Sequence, residues 1–327
     1  MTADLVRWGI LGTGSIAATF AEDLAAGRSG RVVAVGSRRP GSAELFADRF
    51  RVPNRHGSYE SLVADPEVDV VYVATPHPRH RDDAVLALEA GKPVLLEKPF
   101  ALDAREAREV VAAARARGLF LMEAMWTRFL PHVAEIRSVL ASGALGEIVS
   151  VSADHGQRFP DDPSSWLLSP DYGGGALLDL GIYPVSFASM LLGPPSQVVA
   201  VSDPTATGVD AQTSILLRHP GGAHAVLTCT LRAKSPTRAA IVGILGRIEV
   251  DGDFYTPTGF DVVTVDGGRR RVERAHEGRG LRHEADEVAR CLREGLPESP
   301  LMPLDESVSI MATMDEVRAQ AALGNEA

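Results

Sequence analysis

Cysteine is scarce in this chain of 327 residues, which contains only Cys229 and Cys291. Two thiols cannot build the disulfide network that holds small secreted domains together, so that class of protein is excluded. The first residues, Met1-Thr2-Ala3-Asp4, lack the basic and apolar segments of a signal peptide. No uninterrupted apolar run approaches the roughly 20 residues that span a bilayer. These absences predict a cytoplasmic protein without a membrane partner.

Positive charge is also in deficit, since 33 Lys and Arg face 43 Asp and Glu, for a net charge of -10. Such a balance argues against a nucleic-acid partner and against attraction to anionic membranes, although a local basic patch around a phosphate is compatible with it. The arginine-rich run Arg269-Arg270-Arg271 follows Asp266-Gly267-Gly268. We expect it to be the solvated end of a hairpin.

Length and apolar content suffice for two domains with cores of their own: 327 residues, of which 45% are hydrophobic. Up to about residue 125, short apolar runs alternate with longer helical patterns, as in a doubly wound parallel sheet. Later runs alternate apolar with polar residues, which indicates a mainly antiparallel sheet with one exposed face. The predicted fold class is α/β, with an N-terminal Rossmann domain at 1–125 and a C-terminal α/β domain at 126–327. The last predicted helix, 305–322, is a candidate to pack back on the first domain.

The predicted elements follow from these periodicities. The strands of the first domain are 6–11, 31–35, 68–74, 94–96 and 119–122, and its helices are 16–26, 82–90 and 103–117. The second domain has a helix from about 131 to 140, strands at 148–153, 198–202, 215–217, 225–231 and 248–250, and a core helix at 185–192.

A glycine-rich turn follows the first predicted strand: Gly12-Thr13-Gly14-Ser15-Ile16-Ala17. In a turn from strand to helix that binds dinucleotides, Gly12 lets the backbone reverse and Gly14 lets it approach a pyrophosphate. The pyrophosphate lies at the positive end of the helix dipole, near Ser15 and Ile16. Such turns also occur without a ligand, but the order strand, turn, helix and strand favours a nucleotide site.

The end of the second predicted strand bears on the choice of dinucleotide. Sites that prefer NAD place an Asp or Glu there to bind the ribose 2′-hydroxyl. Here the sequence is Gly36-Ser37-Arg38-Arg39, and the next carboxylate, Glu44, is expected a turn or more into the following helix. Ser37, Arg38 and Arg39 fit a 2′-phosphate, which predicts NADP over NAD. The alternative is that both arginines are solvated surface charges.

Two further motifs carry candidate catalytic side chains. Glu97-Lys98-Pro99 follows a predicted strand and projects from the carboxyl edge of the sheet, where a cofactor binds. The segment 173–184 begins with three glycines and contains Asp179 and Tyr183, four residues apart and therefore expected on one helix face. Gly181 between them is predicted to leave room for a ligand. A carboxylate and a phenol aimed at one point suit proton transfer to a carbonyl or from a carbinol.

Together these motifs resemble the Gfo/Idh/MocA oxidoreductases, and in particular the branch of dimeric dihydrodiol dehydrogenases and NADP-dependent D-xylose dehydrogenases. The resemblance covers essentially the whole chain. The motifs that carry it are the glycine turn, Thr75-Pro76-His77, Glu97-Lys98-Pro99, the stretch 123–129 beginning Glu123-Ala124-Met125-Trp126, the triple-glycine segment and Glu298-Ser299-Pro300. Many members of the family have a His at the place of Tyr183, and the tyrosine is typical of the narrower branch. The resemblance implies a Rossmann domain, an open-faced second domain and a homodimer formed through its sheet.

By position, the resemblance implies that Lys98 is the active-site lysine and Tyr183 the acid/base group, with Asp179 and His77 in the same pocket. A phenol with its usual pKa of about 10 is a weak base near neutrality, so a nearby ammonium is needed to favour the phenolate. We expect Tyr183, assisted by Lys98, to exchange the hydroxyl proton as hydride passes to or from the nicotinamide. The alternatives are a turn-capping lysine, a buried carboxylate bonded to backbone N–H groups and a core tyrosine.

Four other side chains have two interpretations each. His77 is expected to face the substrate, and His80 to touch the cofactor or stabilise its loop; a metal site is disfavoured because no third ligand with suitable spacing accompanies them. Trp126 is a candidate wall for a sugar or diol ring, with core packing as the alternative. Trp166 is expected near the nicotinamide, with loop packing as the alternative. The expected cofactor contacts are Gly12, Gly14, Ser15, Ile16, Ser37, Arg38, Arg39, Thr75, Pro76, His80, Glu97, Lys98 and Trp166.

The predicted function is NADP-dependent hydride transfer at a carbinol or carbonyl of a small polyhydroxylated substrate, an aldose such as D-xylose or a trans-dihydrodiol. One alternative is a redox-cycling glycosidase that retains NAD. Another is a dinucleotide-responsive binding protein without catalysis, which the fold alone permits. The intact set of Lys98, Asp179 and Tyr183 argues against the second.

Overall fold

The computed structural model describes residues 5–274 and 278–324, which form two compact units. The first falls within Met1–Phe129 and Glu277–Ser307, and the second within Leu130–His276 and Val308–Ala327. The chain therefore returns to the first unit after passing through the second. One helical stretch, Pro170–Leu192, is long and apolar enough to cross a membrane by length and composition alone, but 78% of its most apolar window is buried inside the protein.

A six-stranded parallel sheet forms the centre of the first unit. Its strands are β1 Val6–Leu11, β2 Gly30–Gly36, β3 Asn54–His56, β4 Val70–Val73, β5 Val94–Glu97 and β6 Leu121–Ala124. The strand order is β3-β2-β1-β4-β5-β6. Because the order reverses between β1 and β4, a crevice opens at the carboxyl ends of these strands, where doubly wound sheets bind ligands. The predicted Rossmann fold is confirmed.

The second unit contains an eight-stranded sheet. Its strands are β7 Ile148–Gly156, β8 Gln197–Pro204, β9 Asp210–Arg218, β10 His224–Thr230, β11 Ala239–Gly243, β12 Gly246–Val250, β13 Phe260–Thr264 and β14 Arg269–Val272. The order is β14-β13-β12-β11-β7-β10-β9-β8. Neighbouring strands are antiparallel except for β7 and β10. A mainly antiparallel second sheet is therefore confirmed.

Helices complete both units. They are α1 Ser15–Ala26, α2 Pro40–Phe50, α3 Tyr59–Val63, α4 His80–Glu89, α5 Ala104–Arg117, α6 Pro131–Ala141, α7 Ile182–Leu192, α8 Arg282–Glu294 and α9 Leu304–Gly324. The carboxylate of Asp103 accepts the N–H of Glu106, and Gly118 ends α5 in the left-handed conformation. These two signals explain why this helix is predicted within one residue.

Alternating burial marks the eight-stranded sheet as open on one face. In β9, Ile215 and Leu217 are buried whereas Ser214, Leu216 and Arg218 are exposed. Exposed apolar side chains on this face lie on neighbouring strands: Val199, Val201, Leu216, Val226 and Val242. Leu216 is the cross-strand partner of both Val199 and Val226, so three of them form one row.

The structure corrects the placement of the arginine run. The chain turns at Asp266-Gly267-Gly268 as predicted, but Arg269 and Arg271 lie within edge strand β14 and not at the end of the hairpin. Arg269 pairs with Glu249 and Asp261, at 2.9 and 2.8 Å. Arg271 pairs with Asp251 and with Glu273. Carboxylates on β12 and β13, and on the residues that directly follow β12 and β14, thus balance these charges.

Candidate active site

The glycine turn lies between β1 and α1 at the carboxyl edge of the first sheet. Gly12 has φ +103°, and a Cβ there would come within 2.5 Å of the Ala74 carbonyl oxygen, so only glycine fits. A Cβ added at Gly14 would meet open space instead. Among the described residues, no side chain caps the N-terminus of α1, which begins at Ser15. The first N–H groups of the helix, including that of Ile16, are thus suited to an anion.

Ser37, Arg38 and Arg39 follow β2, at the same edge of the sheet. Ser37 is buried and its hydroxyl accepts the N–H of Arg39 at 3.2 Å, while both arginines are exposed. Arg38 lies near the phenol of Tyr59, and the sequence does not single out this tyrosine. Burial raises the pKa of Tyr59, although Arg38 lowers it, and this phenol stays neutral beside the guanidinium. Glu44 lies inside α2, as predicted, and not at the end of the strand.

Lys98 begins the turn after β5. Glu97 is buried, and its carboxylate accepts the backbone N–H of Lys98 at 3.0 Å. The hydroxyl of Tyr72 on β4 donates to the other carboxylate oxygen of Glu97. Glu97 therefore fixes the backbone of the lysine, while the lysine side chain is half-buried.

His80 contacts the Pro99–Phe100 peptide group of this turn. Its ring is fully buried, with Nδ1 2.8 Å from the Pro99 carbonyl oxygen and Nε2 2.9 Å from that of Thr75. Burial and the neighbouring His77 lower the pKa of His80 to about 3, against the effect of the two carbonyls. In the neutral ring only one nitrogen carries a hydrogen, so His80 donates to one of these two carbonyl oxygens. Its buried position between the two loops fits the loop-stabilising interpretation.

Glu123 holds the other side of the Pro99–Phe100 peptide group. It lies on β6, fully buried, and its carboxylate accepts the N–H of Phe100 at 3.2 Å. Burial raises the pKa of Glu123 to about 7, although the Ser307 hydroxyl and the Arg128 guanidinium lower it. Arg128 itself is buried and pairs with Glu306 at 2.7 Å. Together Glu97, His80 and Glu123 brace the Lys98 turn on both sides.

The remaining candidates of the first unit lie around the same edge. Thr75 is buried and Pro76 exposed, directly after β4. His77 is half-buried, with its ring centroid 5.5 Å from that of His80. Trp126 begins a 3-10 turn after β6 and is only 7% exposed. Within the described parts of the chain, no cluster of three or more His, Cys, Asp or Glu side chains could hold a metal ion.

In the second unit, Asp179 and Tyr183 lie at the junction of a π turn, Leu177–Gly181, with α7. This corrects the expectation of a single α-helical face, because a π turn has i to i+5 bonding and shifts the angular spacing. Contrary to the prediction, Gly181 does not leave room for a ligand, because a Cβ there would come within 2.9 Å of the Cys229 Sγ atom. The glycine instead allows close packing on β10.

An aromatic cluster surrounds Tyr183, which is 7% exposed. The ring centroids of Tyr255 and His155 are 5.0 and 5.2 Å from that of Tyr183. His155 stacks on Tyr255 at 4.2 Å, with their planes 29° apart. The Gln157 amide lies 2.9 Å from His155 Nε2 and donates to the Tyr255 hydroxyl at 3.2 Å. The phenol of Tyr183 is therefore set among aromatic faces that carry polar atoms.

Trp166 occupies a separate 3-10 turn of the second unit, Trp166–Leu168, and is 48% exposed. The hydroxyl of Ser165 caps this turn by accepting the N–H of Leu167. The exposure of Trp166 does not fit loop packing of the ring in this unit. Its expected contact with the nicotinamide stays a prediction.

Known proteins share both units of this chain. Residues 6–125 match the oxidoreductase family with an NAD-binding Rossmann fold, and residues 133–249 match the GFO/IDH/MocA C-terminal domain. The chain belongs to the Gfo/Idh/MocA family. A trans-1,2-dihydrobenzene-1,2-diol dehydrogenase of Mus musculus is 40% identical to it across 96% of each chain.

Solved structures agree with this assignment. An aldose-aldose oxidoreductase from Caulobacter crescentus, crystallised with glycerol, has a TM-score of 0.89 and 27% identity over 98% of each chain. A 3-ketoreductase from Actinomadura kijaniata, in complex with TDP-benzene and NADP, has a TM-score of 0.82 and 28% identity over 97% of this chain and 98% of its own. This Gfo/Idh/MocA chain is thus an oxidoreductase of the dehydrogenase type, with an NAD-binding Rossmann domain.

Several side chains of the site escape sequence reasoning. His155 and Tyr255 lie about 30 and 70 residues from Tyr183 in the chain, and only the pairing of strands brings them together. Glu123 is part of a motif that the resemblance includes, but its role as an acceptor for the Phe100 N–H depends on how β5 and β6 pair. The one signal that the sequence offers is that His155 and Glu123 are polar residues near the ends of predicted strands.

Proposed function

We propose that this Gfo/Idh/MocA oxidoreductase transfers hydride between NADP and a carbinol or carbonyl of a small polyhydroxylated substrate. The aromatic cluster around Tyr183 carries the proposal. Rings bind the apolar faces of a sugar or a cyclic diol, while His155, Gln157 and the Tyr255 hydroxyl offer partners for its hydroxyl groups. An aldose such as D-xylose and a trans-dihydrodiol both have this combination. The 40% sequence identity with a trans-dihydrodiol dehydrogenase supports a trans-dihydrodiol as the substrate.

The choice of NADP is supported by the end of β2. Ser37, Arg38 and Arg39 are present where an NAD site has a carboxylate, and Glu44 is placed within α2. The phenol of Tyr59 lies near the exposed guanidinium of Arg38. An exposed guanidinium is free to bind a phosphate bidentately, which favours the phosphorylated ribose.

The catalytic roles follow from the chemistry of the side chains. When bound, the nicotinamide accepts or donates the hydride. In the direction of oxidation, the carbinol C–H bond breaks as hydride leaves and the hydroxyl proton passes to Tyr183. The ammonium of Lys98 favours the phenolate form of Tyr183, and Asp179 orients the substrate or the phenol. His77 and Trp126 complete the proposed substrate contacts.

A panel of aldoses and dihydrodiols, assayed at 340 nm with NADP⁺ and with NAD⁺, tests the proposal. Sustained NADPH formation is expected, and Tyr183→Phe is expected to reduce kcat by about 10²- to 10⁴-fold, the usual contribution of a general acid/base. Tyr172→Phe, at an exposed tyrosine of the same unit, is the matched control. Sugar release from glycosides without net NADPH would establish the redox-cycling glycosidase instead. Cofactor binding without turnover on any substrate would establish a binding protein.

We also propose that the open face of the eight-stranded sheet binds a second copy of the chain. The row formed by Val199, Leu216 and Val226, with Val201 and Val242 beside it, exposes an apolar surface that a monomer would leave in water. A homodimer with twofold symmetry would bury this surface against itself. Such a dimer agrees with the resemblance to the dimeric dehydrogenases.

A further inference from the structure

The π turn that precedes Tyr183 is entered through two glycines that other residues cannot replace. A Cβ at Gly174 would lie 2.3 Å from the Leu167 carbonyl oxygen. Gly175 has φ +113°, and a Cβ there would lie 2.1 Å from Oδ1 of Asp210. The space that the missing side chain of Gly175 leaves is therefore taken by a carboxylate from β9.

Asp210 makes two hydrogen bonds at the start of the π turn. Its Oδ2 atom accepts the backbone N–H of Leu177, the first residue of the turn, at 2.8 Å. The same oxygen accepts the hydroxyl of Thr213 at 2.9 Å. Thr213 is 2% exposed, and its hydroxyl lies 3.0 Å from that of Ser202 on β8. Burial raises the pKa of Asp210, and these two donors oppose the rise.

The other end of the π turn rests on the neighbouring strand. Gly181 packs against Cys229 of β10. Cys229 is the cross-strand partner of Thr213. The contact at Gly181 therefore comes from β10, and the hydrogen bond at Leu177 comes from Asp210 on the paired strand β9, three residues before Thr213. Asp179 lies between Leu177 and Gly181, and Tyr183 lies two residues after Gly181.

We propose that Asp210 is a positioning residue for Asp179 and Tyr183, acting through the Leu177 N–H. Asp210 attaches the first residue of the π turn to β9. It thereby holds the i to i+5 hydrogen bonding that sets the direction of both side chains. If that N–H were released, the segment could adopt ordinary α-helical bonding, which would rotate Asp179 relative to Tyr183. This inference rests on the proposed function, in which both side chains meet the substrate.

The test compares Asp210→Ala with Asp210→Asn. The asparagine oxygen can still accept the N–H of Leu177 and the hydroxyl of Thr213, whereas alanine can accept neither. We expect Asp210→Ala to lower kcat by about 10- to 100-fold, as displacement of a catalytic group does. Asp210→Asn should retain kcat within about 3-fold. The Kd for NADPH should not change in either variant, because the nucleotide site is assigned to the other unit.

Asp203→Ala on β8 is the matched control. Asp203 is an exposed aspartate of the same sheet whose carboxylate bonds the Gln212 amide at 2.6 Å, away from the π turn. The Asp203→Ala substitution should leave kcat unchanged. If Asp210→Ala does not fold, Asp210→Ser replaces it, because the serine side chain is too short to reach Leu177. Wild-type kcat in Asp210→Ala or Asp210→Ser would overturn the proposal. Equal losses of kcat in Asp210→Ala and Asp210→Asn would also overturn it, because they would show that the effect comes from the charge of the carboxylate and not from its hydrogen bonds.

A measurement without substrate separates this inference from the proposed function. The chain contains five tyrosines, and fluorotyrosine labelling with Tyr183→Phe assigns the ¹⁹F resonance of residue 183. That resonance should move in Asp210→Ala and return in Asp210→Asn. If wild-type protein turns over no substrate yet the resonance moves in this way, the proposed function fails and the positioning role stands. If turnover is present and the resonance does not move, the positioning role fails alone.

Discussion

At the scale of single residues, Arg38 has the clearest expected effect on the choice of coenzyme. Removal of a guanidinium that binds a phosphate costs about 1.5–3 kcal/mol. We therefore expect Arg38→Ala to reduce kcat/KM for NADP⁺ about 10- to 100-fold and to leave kcat/KM for NAD⁺ within about 2-fold. Arg31→Ala, at an exposed arginine at the opposite end of β2, is the control. Equal efficiency with both coenzymes in wild-type protein would show that Arg38 and Arg39 are only surface charges.

Glu123 gives the stability of the protein an unusual pH dependence. Its folded-state pKa of about 7 lies above the reference value of 4.5, so the folded state binds this proton more tightly than the unfolded state. The contribution of Glu123 to the free energy of unfolding is therefore fully present below about pH 4.5 and is lost as the pH rises to 7. The loss is of the order of 3 kcal/mol.

Glu123→Gln removes this titration while an amide oxygen can still accept the N–H of Phe100. We expect the variant to be more stable than wild type above pH 7, by about 1–3 kcal/mol, and the difference to shrink toward pH 4.5. Urea unfolding at a series of pH values measures this difference. Glu60→Gln, at an exposed glutamate of α3, is the control. A difference that is constant with pH would contradict the assignment of the titration to Glu123.

Sequence reasoning identifies the residues that local motifs carry, such as Gly12, Lys98 and Tyr183. It cannot identify those whose roles depend on distant pairing. Asp210 acts on the π turn across 33 residues, and Tyr255 reaches Tyr183 from a different loop. The error at Gly181 has the same origin, because the spacing of 179 and 183 gives no sign that Cys229 occupies the adjacent space.

At the scale of elements, strong periodicity and clear caps determine what can be predicted. The fully buried β4 and β5 and the capped α5 are found in the sequence, because their apolar runs or their Asp and Gly signals are unambiguous. The short β3 and α3 have three and five residues, too few for a periodic pattern. Helix α8 is missed because its buried face consists of two alanines, two glutamates, one valine and one cysteine, which is a weak apolar signal.

The start of α8 depends on one carboxylate. Asp23 of α1 is 5% exposed and accepts the backbone N–H groups of Arg279, Gly280 and Leu281. Asp23→Ala leaves these donors without their acceptor, at an expected cost of about 2–4 kcal/mol in the free energy of unfolding. Urea unfolding checks this value. Glu22→Ala removes the neighbouring exposed carboxylate, whose surface pair with Arg49 contributes about 0–1 kcal/mol. Equal effects of the two substitutions would refute the role of Asp23.

At the scale of the whole molecule, the open sheet face makes the oligomeric state testable. We expect light scattering to show a homodimer at micromolar concentration. Leu216→Glu combined with Val226→Glu places two charges on directly paired positions of the face and should yield monomers, since burying unpaired charges costs several kcal/mol. Val265→Glu, at a 78% exposed valine after the end of β13, should remain dimeric. Monomeric wild-type protein would remove the dimer proposal.

The route of the chain through its two units also has a consequence for biosynthesis. Asp23 near the amino terminus meets its backbone N–H donors only after about 250 further residues have been made. A nascent polypeptide emerging from the ribosome therefore has the glycine turn and all six strands of the nucleotide-binding sheet long before α8 is available. Translation must be nearly complete before that unit closes, so a truncated gene ending near residue 129 would encode an unfinished nucleotide-binding half and not an independent module.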